Sequence, residues 1–245
     1  MDMVLLDWTR MGKSYCLAGV IRQSGQLRVV RPLPARDRDA PVRNVGWSPF
    51  LMDGHSRWEV FELVEAQPAA PMAPHLEDVW VRTMRPLRAL AGPAERRAIL
   101  QATLAPPGAP WFGAPLVATR CAAYLAPGMG NRSLAAVLVP RSAIHFTASS
   151  RDGAAEPDYR VRFAVDGLEG RSLPVKDHFL LRRAEDASPN IEGRIRELTL
   201  AVSQMGEQIA VRLGLSRSFQ ATPARAEGVC WLMADGFFSL NDPQC

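Results

Sequence analysis

The sequence predicts a mainly β chain, a β-rich α+β fold of two small antiparallel barrel-like halves joined by a helical connector. Three observations predict it. Apolar residues recur in short runs bounded by Gly, Pro and polar clusters, as in strands. Residues 159–165 alternate strictly, with Tyr159, Val161, Phe163 and Val165 on one face and Arg160 and Arg162 on the other. Between two strand-rich stretches, residues 93–104 change to helical spacing, with Pro93 first and charges in the first turn.

Taken in order, residues 4–8 read as a first strand, 10–14 as a turn, 15–21 as an apolar second strand and 27–30 as a third, stopped by Pro32 and Pro34. The polar loop 23–26 is of hairpin type. Residues 35–56 read as a long loop, and 58–64 and 78–84 as further strands. The connector spans 91–115, its helix ended by Pro106, Pro107 and Pro110. Strands follow at 134–139, 143–148 and 159–165, then a hairpin turn at 166–170 and a returning strand at 171–175. A helical insertion is expected near 191–204, and strands at 208–213 and 229–238. The organisation is therefore 1–90, a connector at 91–115, and 116–245. About five short strands in each half describe the OB architecture, a small, partly open barrel that binds oligonucleotides on one sheet face.

Composition bounds the function. Hydrophobic residues are 47% and charged residues 22% of the 245, a balance that buries a core and argues against disorder. No apolar run reaches the length of a membrane helix. Asp2 and Asp7 make the N-terminus a poor export signal, so a cytoplasmic protein without a membrane partner is expected. Cys16, Cys121, Cys230 and Cys245 are scattered, as are the four histidines, so neither a disulfide framework nor a metal site is expected. No cofactor is expected. The net charge is +4, and of 29 basic residues only Lys13 and Lys176 are lysines. Arginine suits phosphates and base edges, although a GC-rich genome also explains the excess.

Several motifs carry possible chemistry. Gly12-Lys13-Ser14 follows a strand, but position 7 is Asp where a phosphate loop needs Gly, and a strand-like segment follows in place of a helix. Gly128-Met129-Gly130-Asn131 reads as a plain loop. Lys176-Asp177-His178 reads as an Asp capping a tight turn, with Lys and His in water. Pro157-Asp158 lacks the downstream Glu-x-Lys of a nuclease, and Ser142 and His145 have no third member. Trp8, Tyr15, Trp58, Trp80 and Tyr159 are candidate stacking platforms or core fillers.

The opening, with Cys16-Leu17-Ala18-Gly19 on the second strand and Arg31-Pro32 at the end of the third, resembles the dual OB-domain family of prokaryotic proteins. Arg160-Val161-Arg162-Phe163, followed by Leu173-Pro174-Val175-Lys176-Asp177, is similar to that family's Arg-x-x-Phe strand and VTDP turn, with Lys176 in place of Thr and His178 in place of Pro. Residues 211–219 and 230–236 resemble its SLGxPF and closing-strand motifs. The similarity runs through most of the chain in the right order. It implies a bacterial protein with two OB domains and a nucleic-acid role.

The expected function is binding of nucleic acid or a nucleotide, single-stranded favoured, by an accessory module without catalysis of its own. Arg10, Lys13, Arg28, Arg31 and Trp58 would serve one half, and Arg160, Arg162 and Arg217 the other. A hydrolase or nuclease with a site between the halves, or a module that binds a protein partner, are the alternatives.

Overall fold

The computed structural model describes residues 1–12, 14–37, 46–48, 54–69, 73–89, 93–120, 122–126, 128–150, 157–165, 168–218 and 228–241. The chain is mainly β. Strands β1 (Asp2–Met11), β2 (Ser14–Gln23) and β3 (Gln26–Pro34) form the expected meander. The β2–β3 turn holds Ser24 and Gly25 at φ of 50° and 80°. That left-handed pair matches the twist of the two strands it joins. β4 (Glu59–Val64), β5 (Gln67–Pro68), β6 (Asp78–Val81) and β7 (Thr83–Ala89) complete a seven-stranded sheet of order β5-β6-β3-β2-β1-β4-β7. The sheet has seven strands where about five were expected, and β6 runs parallel to β3. The expected strand 78–84 is two strands on opposite sides of the meander, β6 beside β3 and β7 beside β4. Trp58 is not in a strand; it turns the chain into β4 at a φ of 68°.

The helix α1 (Pro93–Thr103) follows. The remaining strands are β8 (Val117–Ala118), β9 (Ala123–Leu125), β10 (Leu134–Pro140), β11 (His145–Ser149), β12 (Asp158–Arg162), β13 (Leu173–Pro174), β14 (Gln208–Leu215) and β15 (Cys230–Ser239). They form a five-stranded sheet of order β10-β14-β15-β9-β8 and a three-stranded sheet β11-β12-β13. β12 ends at Arg162, short of the expected 165, because its partner β11 begins at His145, opposite Arg162; Phe163 still faces the core, as the alternation predicts. β8 and β9 had no counterpart in the sequence reading.

Two helices, α2 (His178–Ala187) and α3 (Ile191–Ser203), separate β13 from β14. α3 matches the expected insertion, whereas α2 begins where only a tight turn at 176–178 is expected. Its signal was present: Leu180, Leu181 and Ala184 recur at helical spacing and are buried. Asp177 is the N-cap, accepting from the Leu180 amide at 3.1 Å. It is fully buried, and His178 is 6% exposed, so His178 is not in water.

The two halves share a core. Leu6, Val20, Trp58 and Val60 of the first sheet meet Ile99 and Leu100 of α1 and Ala210 and Phe238 of the second. Beside it, Arg212 on β14 grips Asp7 on β1 with Nε at 3.1 Å from both carboxylate oxygens and Nη2 at 2.7 Å from one. Both residues are 1% exposed. Each sits at a register shift: β1 slips between Leu5 and Asp7, and β14 between Arg212 and Leu213. Bulges re-aim side chains, and the one on β1 turns Asp7 toward Arg212.

The segment Val175–Asp177 ties the halves a third time. Val175 donates to the Tyr159 carbonyl of β12 and Lys176 to Ala234 of β15, while the Lys176 carbonyl accepts from Arg10 of β1. No helix among the described residues is long and apolar enough to cross a membrane. Because Leu100 is fully buried in the shared core, Leu100→Ala is expected to cost about 2–5 kcal/mol. Urea unfolding read by tryptophan fluorescence and by far-UV circular dichroism should give one lowered midpoint; two separated midpoints would show that the shared core does not couple the halves.

Candidate functional site

The outer face of the three-stranded sheet gathers polar side chains. β11 pairs with β12 so that His145 opposes Arg162, Thr147 opposes Arg160 and Ser149 opposes Asp158. Alternation sends Phe146, Tyr159 and Val161 into the core and leaves these six on the other face. Arg162 is exposed and has no hydrogen bond or ion pair among the described residues. Arg160 is half-buried and committed. Its Nε donates to Ser172 Oγ at 3.1 Å, its Nη2 to the Ser172 carbonyl and its Nη1 to Asp158 at 3.1 Å. It steers the segment beside β13 as much as it offers charge to solvent.

The other expected binding residues lie elsewhere. Arg28 is exposed on β3 and touches Gln23 at 3.3 Å. Arg10 forms a paired contact with Glu185 on α2 at 2.7 and 2.8 Å. Its Nε donates at 3.2 Å to His178, whose pKa is pushed down to about 4 by burial and then by Arg10. Lys13 lies outside the described residues; the segment after it is the strand β2, as read, and not a helix. Trp58 is 2% exposed against Phe238, so it is a core residue and not a stacking platform. Trp8 and Tyr159 are buried as well, whereas Tyr15 and Trp80 are half-buried. The sequence reading passed over one half-buried aromatic pair, Tyr124 on β9 and Trp231 on β15, with ring centroids 5.4 Å apart.

Arg31 and Arg217 meet, but inside the protein. Arg31 is 4% exposed; its Nε donates to Asp78 at 2.8 Å and its Nη2 to Ser133 at 2.7 Å, with His75 and Glu77 alongside. Arg217 reaches the same Asp78 at 2.6 Å. Burial opposes the charge of Arg31, but Asp78 and Glu77 outweigh it and hold the guanidinium firmly protonated. Burial lowers the pKa of Arg217, and Arg31 lowers it further. Burial and the same two arginines keep His75 neutral. Arg31 is therefore structural, buried and committed to carboxylates, whereas Arg217 is half-buried and shares Asp78 with it.

Beside them is a cavity of about 40 Å³ lined in part by Thr9, Cys16, Arg31, Ser216, Arg217 and Asp235. That is room for a water or two. Asp235 is the extra residue of the β15 bulge, because Arg212 pairs with Gly236 and Leu213 with Ala234. Its carboxylate lies so close to Gly214 that a Cβ there would meet Oδ2 at 1.7 Å. Arg212 is spent on Asp7, and Asp235 Oδ1 has no hydrogen-bond partner among the described residues. Burial, reinforced by Asp7, raises the Asp235 pKa well above the carboxylate range and favours the neutral acid. Among the described residues, no three His, Cys, Asp or Glu side chains converge to hold a metal.

A pH dependence follows. The unfolded carboxyl ionises near pH 4, whereas folded Asp235 keeps its proton to higher pH. Stability from this group is present below pH 4 and falls, by about 1.4 kcal/mol per pH unit, until the folded pKa is passed. Asp235→Asn removes that fall. Stability of wild type and variant measured from pH 4 to 8 should diverge in the variant's favour; parallel curves would mean that Asp235 is ionised in the fold.

No family model and no curated protein matches the chain. Among solved structures it is similar to a murine DNA-binding protein bound with double-stranded DNA, at 8% identity and a TM-score of 0.31, over 97% of this chain and 95% of that one. A likeness of that size does not establish a shared fold.

Proposed function

We propose that the chain binds single-stranded nucleic acid along the outer face of β11–β12–β13, as an accessory module of two OB-like halves without catalysis of its own. One observation carries this reading. Arg162 is exposed and unpaired among the described residues, opposite His145, with Arg160 two residues away on the same outward face. Positions two apart on a strand are about 6 to 7 Å apart, a spacing that suits successive phosphates of an extended strand. Thr147 and Ser149 add hydroxyls along the same row. The buried arginines do not contribute. Binding therefore draws on a few exposed cations, and the salt slope should be shallow.

A protein partner is the second reading. An open groove of about 890 Å³ runs between the end of α1 and β10, lined by Leu104, Trp111, Leu116 and Val137, with Leu138 42% exposed beside them. Such a surface suits an apolar partner, and an affinity insensitive to salt would favour it.

Arg162→Ala is the clean probe, because Arg160→Ala would also release Ser172. Fluorescence anisotropy with labelled single-stranded DNA and RNA at several salt concentrations should show affinity falling as salt rises. The variant should weaken binding to all sequences alike and flatten the slope by about one unit. Absence of binding by wild type at low salt, or an unchanged slope in the variant, would remove this face from consideration.

A further inference from the structure

At the β11 edge of the three-stranded sheet, where β10 turns into β11, the chain leaves a pocket of about 320 Å³ against α3. Its floor is apolar, with Ile144, Phe146 and Val202; its rim is polar, with Arg141, Ser142 and His145. The rim donors are largely unspent. Arg141 uses Nη1 on the Ser203 carbonyl at 2.9 Å, which props the turn Arg141–Ala143 against the end of α3. Ser142 and His145 make no side-chain hydrogen bond among the described residues and are exposed. His145 also stands directly opposite Arg162 in the β11–β12 ladder, so one rim residue of the pocket belongs to the outer row as well.

We infer that this pocket takes the terminal nucleotide of a bound strand, with its phosphomonoester on Arg141, Ser142 and His145 and its base on the apolar floor. The inference rests on the nucleic-acid reading and adds a polarity to it: the strand would start in the pocket and run past Arg162 toward Arg160. The volume is that of a small-molecule site. A terminal monoester carries close to two negative charges and three acceptor oxygens, more than the single charge of an internal diester. A fixed guanidinium and two neighbouring donors therefore discriminate an end from the middle of a strand. Arg141 suits this role because its planar fork keeps donors free after one is used.

The experiment compares single-stranded decamers carrying a 5′-phosphate, a 3′-phosphate or hydroxyls at both ends, each labelled internally, by anisotropy. One phosphorylated end should bind about tenfold more tightly than the hydroxyl strand, as expected for a charged hydrogen bond. Arg141→Ala should reduce that preference while leaving the hydroxyl strand's affinity unchanged; His145→Ala, which also belongs to the Arg162 face, should reduce the preference whatever it does to the hydroxyl strand. Equal affinity for all three strands would overturn the inference and leave the Arg162 face standing. If no strand binds, adenosine monophosphate titrated into isotope-labelled protein decides separately. Shifts at the Arg141, Ser142 and His145 amides, absent with adenosine, would keep the pocket without the strand; no shifts would end it. Circular dichroism and thermal unfolding check that each variant folds, and Arg141→Lys, which keeps the charge, should retain part of the preference.

Discussion

The Asp7–Arg212 pair organises the molecule, because two charges taken fully out of water are tolerated only when they meet with good geometry. Each ion costs several kcal/mol to desolvate, and removing one partner leaves the other buried alone. The pair joins residues at opposite ends of the chain, on the first sheet and on the second. It therefore dictates how β1 and β14 lie against one another. The bulge on β1 serves that demand, because it sets Asp7 on the same side as Leu6, toward the second sheet, whereas Arg212 gets there by the plain alternation of β14, with Ala210 beside it in the shared core. Neighbouring glycines follow too. At Gly236 a Cβ would press within 2.7 Å of the Phe238 ring and 3.2 Å of Asp7, and at Gly214 it would collide with Asp235. With Arg212 spent on Asp7 and Arg31 on Asp78, burial leaves Asp235 favouring its neutral form.

Asp177 extends the same logic to the periphery. One carboxylate caps α2, accepts from the Phe237 amide at 3.1 Å and pairs with Arg57. Helix, second sheet and the turn into β4 are thus held through one fully buried side chain. Arg57 lies at 4.9 Å from the Phe179 ring and 4.5 Å from the Phe238 ring, which lets a cation sit against the shared core. Arg10 and Glu185 close the circuit at the surface.

This division of labour bears on function. The arginine excess looks like a single property of the composition, but the fold splits it in two. Arg31, Arg57, Arg212 and Arg217 neutralise interior carboxylates, and their low hydration cost relative to lysine suits them to burial. Arg141, in the turn that leads into β11, and Arg162, at the end of β12, stay outside with donors to spare. A ligand that uses them meets a rigid face, because β11 and β12 are backed by the main core of the second half through Phe146, Tyr159 and Val161.

The sequence alone determined what depends on local periodicity: the mainly β class, the first meander, α1, α3, and the alternation that sends Arg160 and Arg162 to one side of β12. Those features need only neighbours within a few residues. α2 was also written there, in Asp177 and the spacing of Leu180, Leu181 and Ala184, but the short charged triplet at 176–178 masked it. Tertiary structure decided which charges are spent. Nothing near Arg31 in sequence names Asp78 or Ser133 as its partners, and nothing near Trp58 places Phe238 against it. Pairing across dozens to hundreds of residues depends on strand order and register, and a bulge of one residue reverses which way a side chain points. The pocket at Arg141 and His145 belongs to the same class. Its floor and rim come from a turn, a strand and a helix that the chain brings together only when the second core closes.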